Sequence, residues 1–303
     1  MKKNYFRVRL SQVPSSCEDI LTTYCFDHQA TGVTEVLSFS QPDLTYDPHV
    51  IEKRFIEMDV FFEAQPAAAF IENLASISPQ ISHQTFEEEE KDWLEEWKKG
   101  FQAFKLVGPY WIVPSWIEKP EACEKPIYID PGMAFGTGTH ATTQMMAHFI
   151  HKLSQQHSAE LANWALLDVG TGTAILAMLA QQSGFGIVTG IEIDPEARRT
   201  ARENVKLNKL EVIDIPESQL EEIRDKYDVV VANIIDGVLL QLKKDLIRVV
   251  RPGGYLLLTG ILTERDNLFF EKFIEESQLK VIRRLEKDEW VGYWVQIPEE
   301  QSQ

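Results

Sequence analysis

The chain has 303 residues, enough for one large and one small core. Its 44% hydrophobic and 25% charged residues exclude a disordered or fibrous chain, and no apolar run approaches the ~18 residues of a membrane span. The 47 acidic against 30 basic side chains leave a formal charge of -17, which opposes docking on a phosphate backbone and suits a basic partner.

Residues 5–10 alternate apolar and polar side chains and predict a strand, and 16–26 follow with helical spacing behind a Ser15 or Ser16 cap. Strand-like stretches at 33–39 and 54–62, a helix at 67–74 and a strand at 80–86 complete the order βαββαβ, which predicts a small α+β ferredoxin-like sandwich. That order serves many functions and identifies none. Glu87 to Glu90 predicts the start of a helix running to Phe104, where acidic groups complement the helix dipole and Trp93 and Trp97 share one face. From 165 onward the pattern changes: apolar strands at 165–169, 186–193, 210–215, 227–234 and 255–259 alternate with helices and predict a parallel sheet covered on both faces. The last two strands, 280–285 and 290–297, have no helix between them and predict an antiparallel hairpin. The chain thus divides into a small domain at 1–86, a helical connector at 87–125 and a doubly wound α/β domain at 126–299.

The sharpest local signal is Leu166-Leu167-Asp168-Val169-Gly170-Thr171-Gly172-Thr173-Ala174, which ends a strand and opens a helix. Gly170 and Gly172 allow a tight turn and close approach of a ligand to the backbone. Dinucleotide folds share such a turn, but Ala174 fills the third glycine position of their fingerprint. Asp168 adds negative charge beside the turn, which suits a ligand carrying an ammonium and a sulfonium. The second strand ends Gly190-Ile191-Glu192-Ile193-Asp194-Pro195, where Glu192 can accept hydrogen bonds from two ribose hydroxyls and Asp194 reads as a helix cap. The fourth closes on Asn233, a polar group after an apolar run, read as a site residue with helix capping as its alternative. Ahead of the first strand, Asp130-Pro131-Gly132-Met133-Ala134-Phe135-Gly136-Thr137-Gly138-Thr139-His140-Ala141-Thr142-Thr143 reads as a Gly/Thr lid leading into a helix. His140 within it either orients a substrate or makes a structural hydrogen bond. Cys17, Cys25 and Cys123 lack CxxC spacing and a nearby His cluster, so free thiols, no metal site and a reducing, cytoplasmic setting are expected.

The stretch 130–143 closely resembles the loop signature of the ribosomal protein L11 methyltransferases. Lys91-Asp92-Trp93 with Glu96-Trp97, Trp111-Ile112-Val113-Pro114-Ser115-Trp116, Thr259-Gly260-Ile261-Leu262 and Glu289-Trp290 also fall in that family's order. The resemblance is close from about Glu89 to the end and architectural before it. It implies a class I methyltransferase fold, whose Rossmann-like sheet ends in an antiparallel hairpin. It also implies S-adenosylmethionine as cofactor, with Thr143, Gly170, Glu192 and Asn233 at its binding positions and Asp168 and Gly172 beside them. By the same resemblance the acceptors are lysine ε-amines and the N-terminal α-amine of a large-subunit ribosomal protein, with 1–86 recognising it and 126–299 transferring the methyl. Neither nucleic acid nor a membrane is an expected partner. Asn233 would orient the amine, with His140 and Asp236 as further catalytic candidates, Asp236 as a helper in proton removal. Three departures from the family stand out: Ala174 for glycine, Glu192 for aspartate, and Asp236-Gly237-Val238 for Ala-Gly-Pro. The rival readings are a methyltransferase of another protein, a nucleic acid or a small molecule, and a binder of ribosomal protein without turnover.

Overall fold

The computed structural model describes residues 4–36, 39–40, 49–50, 54–89, 101–130, 136–210 and 212–299. Two compact units divide the chain, Met1–Lys99 and Gly100–Gln303.

In the first unit, β1 (Asn4–Pro14), α1 (Glu18–Asp27), β2 (Gly32–Glu35), β3 (Phe55–Phe62), α2 (Ala68–Ile77) and β4 (Ser82–Glu89) follow in the expected order. The sheet is antiparallel with strand order β2-β3-β1-β4, the ferredoxin-like arrangement, and a short ladder joins Phe39–Ser40 to His49–Val50. Period-two alternation decides the core: Val8 and Leu10 of β1 and Ile56, Met58 and Val60 of β3 turn to one face, where Leu21 and Phe70 of the helices cover them. The opposite face is polar. Arg9 holds Asp59 through two hydrogen bonds of 2.9 and 2.7 Å, and Arg7 adds a third at 3.2 Å, so the Asp59 carboxyl stays below its usual range.

The predicted helix start at Glu87 is overturned. Glu87 to Glu89 extend β4 and pair in register with Phe6, Tyr5 and Asn4. Arg7 binds Glu88 at 2.7 Å and the Tyr5 hydroxyl donates to it as well, so cross-strand partners outweigh the local preference of an acidic run for a helix terminus. Trp93 and Trp97 lie outside the described residues.

Residues 104–107 and 110–114 are strands within the stretch expected as a helical connector, of which 90–100 lie outside the described residues. β5 (Phe104–Val107), β6 (Tyr110–Pro114) and β7 (Lys125–Ile129) form a three-stranded sheet in that order. Gly108, at φ 51, makes the β5–β6 turn. Next come α3 (Ala141–Gln156), β8 (Ala165–Val169), α4 (Ile175–Ser183), β9 (Ile187–Ile191), α5 (Pro195–Leu207), β10 (Tyr227–Asn233), α6 (Asp236–Arg248), β11 (Val250–Leu262), β12 (Lys280–Lys287) and β13 (Trp290–Gln296). Their sheet runs β9-β8-β10-β11-β13-β12; β9 to β11 are parallel, and the final hairpin is antiparallel as expected. Alternate residues of each strand feed two cores. Leu166, Val229 and Leu257 meet α3, α4 and α5 on one face; Leu167, Val230 and Leu258 meet α6 and the helical segment around Phe269 and Phe273 on the other.

The predicted strand at 210–215 is reduced to one bridge, Thr189 to Asp214. Its edge cannot extend, because the Ile215 carbonyl is taken by the Arg202 guanidinium at 3.0 and 2.7 Å and Pro216 has no N–H to offer. β8 is therefore flanked by β9 and β10, with the chain leaving it to opposite sides, and the crevice at its carboxyl end is the topological switch point where doubly wound sheets bind ligands.

Candidate functional site at the switch point

The glycine turn follows β8 directly. Gly170 and Gly172 have φ of 71 and 55, and both Gly170 N and Thr171 N donate to the Ile191 carbonyl, at 2.9 and 3.0 Å. Ala174, at φ 65, also sits in the left-handed region, at the start of α4. That conformation costs a non-glycine residue about 1–2 kcal/mol. Its methyl is fully buried in the core, which returns ~0.8 kcal/mol and explains how alanine is tolerated where the dinucleotide fingerprint has glycine.

A cavity of about 670 Å³ opens at this turn, a size that holds a nucleotide-scale ligand. Gly170 and Gly172 form one side, Glu192 and Asp194 the second, and Leu220 with Ile234 the third. Its described lining carries Glu192, Asp194 and Glu221 and neither Lys nor Arg, a charge pattern that favours a cation. Glu192 is held from both sides: Gly172 N donates to Oε2 at 3.0 Å and Asp194 N to Oε1 at 3.1 Å. Each oxygen keeps a further lone pair for a ligand hydroxyl. Asp194 caps α5 by accepting from Glu196 N at 2.9 Å, with Pro195 in the first turn.

The remaining expected residues stand behind or beside this wall. Asp168 is 1% exposed, does not line the cavity, and accepts from Thr171 Oγ1 at 2.7 Å, so it braces the turn. Burial pushes its carboxyl up to about 7, against the Thr171 and Ala177 hydrogen bonds that favour the ion. Asn233 ends β10 next to Ile234; its Nδ2 donates to Thr143 Oγ1 at 3.3 Å, and its Oδ1 accepts from Thr259 Oγ1 at 2.8 Å. The helix-capping alternative for Asn233 falls away, because Ile235 occupies the cap of α6.

Two catalytic candidates have structural employment. His140 is the N-cap of α3, taking Thr142 N at 3.4 Å on Nδ1, and its ring meets Trp290 edge-on at 5.3 Å. Asp236, expected to help in proton removal, is 1% exposed, ion-paired with Arg265 and outside the described cavity lining.

Sequence reasoning missed the residues that tie the loop before α3 to the glycine turn. Asn204 of α5 accepts from Asp130 N at 2.8 Å and donates to the Thr173 carbonyl at 3.1 Å, while Thr173 Oγ1 donates to the Gly136 carbonyl at 2.6 Å. One turn on, Asn208 binds both backbone groups of Tyr128 in β7, at 2.8 and 2.6 Å. Two asparagines four apart on an otherwise charged helix were the available signal. Of the loop read as a lid, 131–135 lie outside the described residues. The Ser218 to Glu221 wall carried no motif. Among the described residues there is no group of three His, Cys, Asp or Glu placed to hold a metal, and no helix long and apolar enough to cross a membrane.

The family model for ribosomal protein L11 methyltransferase (PrmA) matches residues 7–297. The chain belongs to this family. A ribosomal protein L11 methyltransferase from Pelobacter propionicus is 34% identical over 294 residues, covering 92% of this chain and 94% of the relative. One from Dictyoglomus thermophilum is 39% identical over 204 residues, 66% of this chain and 64% of the relative. The crystal structure of a ribosomal protein L11 methylase from Lactobacillus delbrueckii subsp. bulgaricus superposes with a TM-score of 0.58 at 28% identity, covering 66% of this chain and all of that one. As a member of the L11 methyltransferase family the chain is an enzyme, and its sheet with terminal hairpin is the class I methyltransferase fold.

Proposed function

We propose that this enzyme transfers methyl groups from S-adenosylmethionine to lysine ε-amines and the N-terminal α-amine of ribosomal protein L11, in the cytoplasm. The observation that carries the reading is the switch-point cavity, walled by the glycine turn and three carboxylates without a basic residue. Those residues fit the cofactor: Glu192 has lone pairs for both ribose hydroxyls, Gly170 and Gly172 permit close backbone approach, and the acidic wall balances an ammonium and a sulfonium. When bound, the cofactor supplies an electrophilic methyl on sulfur. Asn233 orients the acceptor: its Oδ1 takes one hydrogen bond from Thr259 and has a second lone pair for an amine N–H, while Thr143 fixes the other end of the amide. Thr143 is in turn placed by the α3 start that His140 caps. Held there, a neutral acceptor amine would have its lone pair aimed at the transferable methyl.

No internal base is required where the amine arrives neutral. A lysine of pKa ~10.4 is about 0.1% neutral near pH 7.4, a cost of roughly 4 kcal/mol, whereas an α-amine near 7.8 loses far less. Positioning then supplies most of the acceleration.

The test is a labelled-methyl assay on purified L11, with other ribosomal proteins and ribosomal RNA as controls. Label confined to L11 amines, rising about tenfold per pH unit at lysine between pH 7 and 9, is expected. Label on RNA, or none on L11, would refute the reading. Glu192→Ala should weaken S-adenosylmethionine binding by about 1.5–3 kcal/mol. Asn233→Ala should instead lower kcat more than cofactor affinity, because alignment is realised near the transition state.

A further inference from the structure

Asp236 occupies the first position of α6 with 1% of its surface exposed, between Ile234 and Val238, which both line the cavity. Its Oδ2 accepts from Nε of Arg265, a buried residue just past the end of β11. Its Oδ1 is buried and has no hydrogen-bond partner among the described residues. Such a pair is a poor source of stability. Both charges are desolvated while one carboxylate oxygen stays without a donor, and an apolar pair of similar volume would hold the fold as well. What a buried ion pair can supply instead is a unique local conformation.

The conformation in question is the turn that follows β10. Residues 259–265 grip it at successive points. Thr259 Oγ1 donates to Asn233 Oδ1 at 2.8 Å, and Ile234 N donates to the Thr259 carbonyl at 3.2 Å. Gly260, at φ 93, approaches so closely that a Cβ there would overlap the Ile234 carbonyl oxygen. Arg265 completes the grip on Asp236. The first contacts hold the near end of the turn at Asn233 and Ile234; the ion pair holds its far end, three residues on. With both ends fixed, the direction in which Asn233 presents its amide is fixed too.

We propose that the buried Asp236–Arg265 pair is a positioning device for methyl transfer, which locks the 233–236 turn and so aims Asn233 at the acceptor amine without touching cofactor or substrate. This rests on the role given to Asn233 above.

The experiment compares full-length wild type with D236A/R265M, which removes both charges together, R265K, which keeps the charge but loses the Nε donor, and D236N, which keeps an acceptor for Nε. In D236A/R265M, kcat on L11 should fall at least about thirtyfold while the S-adenosylmethionine Kd and the KM for L11 stay within about threefold. R265K should lose at least about tenfold in kcat at unchanged cofactor Kd, and D236N, which keeps an acceptor but strips the buried guanidinium of its counter-charge, should also lose at least about tenfold. Amide exchange across 233–238, read by mass spectrometry on the free protein, should be at least about tenfold faster in D236A/R265M than in wild type. Retained kcat in D236A/R265M or R265K, parallel losses of kcat and cofactor affinity, or unchanged exchange would each overturn the proposal. If D236A/R265M does not fold, R265K decides alone. If wild type leaves L11 unmethylated, the acceptor reading fails while the exchange comparison still decides this one.

Discussion

Asp168 is the residue of the site region in which burial bears most directly on ionisation. Its place two residues before Gly170 marked it as part of the site, yet its side chain points behind the turn and its burial holds the carboxyl up to about 7. The sign of the consequence is fixed. A folded-state pKa above the unfolded value of ~3.9 means that the folded protein binds the extra proton, so this group's contribution to stability is complete below about pH 4 and is lost as pH rises through 7. By pH 8 the whole of that contribution, on the order of 4 kcal/mol, is lost, most of it between pH 5 and pH 8. Asp168→Asn removes the titration while keeping an acceptor for Thr171. Its stability relative to wild type should therefore improve by about 2–3 kcal/mol between pH 5 and pH 8, measured by urea denaturation at each pH. Parallel pH curves for the two proteins would mean that Asp168 is not a buried acid.

At the scale of elements, legibility followed the range of the interactions. Period-two and helical spacing located the strands and helices of the four- and six-stranded sheets but not β5 to β7, and the Asp194 cap was visible because it depends on its immediate neighbours. Glu87 was misread because the partners that keep it in β4 lie in β1, about eighty residues earlier. The 210–215 strand failed through Arg202 and Pro216, and the Arg265 partner of Asp236 is invisible from its own motif. Asn204 is the most consequential omission. It is 1% exposed and joins α5, the start of the 130–140 loop and the glycine turn through two hydrogen bonds. Asn204→Leu fills similar volume but strands the Thr173 carbonyl and Asp130 N–H, a loss of about 2–4 kcal/mol in folding stability. Cofactor affinity should fall with it, while Asn208→Leu, which touches β7 but not the glycine turn, should destabilise without a matching loss of affinity. Calorimetric binding alongside denaturation separates the two; equal affinity losses in both variants would show that Asn204 acts only through general stability.

For the whole molecule, the distribution of chemistry between the units sets the last expectation. Every described residue lining the switch-point cavity, and Thr143, Asn233 and the Asp236–Arg265 pair beside it, belongs to Gly100–Gln303. Met1–Lys99 has its own core of Val8, Leu10, Met58, Val60 and Phe70, independent of the two cores of the larger unit. With a separate core and none of the described cavity residues, this unit is proposed to recognise the protein substrate and to be dispensable for cofactor binding. The acidic chain, at -17, suits a basic ribosomal protein as that partner. A fragment beginning at Gly100 should therefore bind S-adenosylmethionine within about threefold of the full chain, since binding energy comes from contacts it retains. At L11 concentrations well below KM it should methylate at least about a hundredfold more slowly, because the lost recognition energy appears in kcat/KM. Raising the L11 concentration should recover part of the rate if the loss is one of encounter and affinity. Methylation by the fragment at the full-length rate and with the same choice of amines would place recognition in Gly100–Gln303 and leave the first unit without a role in substrate choice.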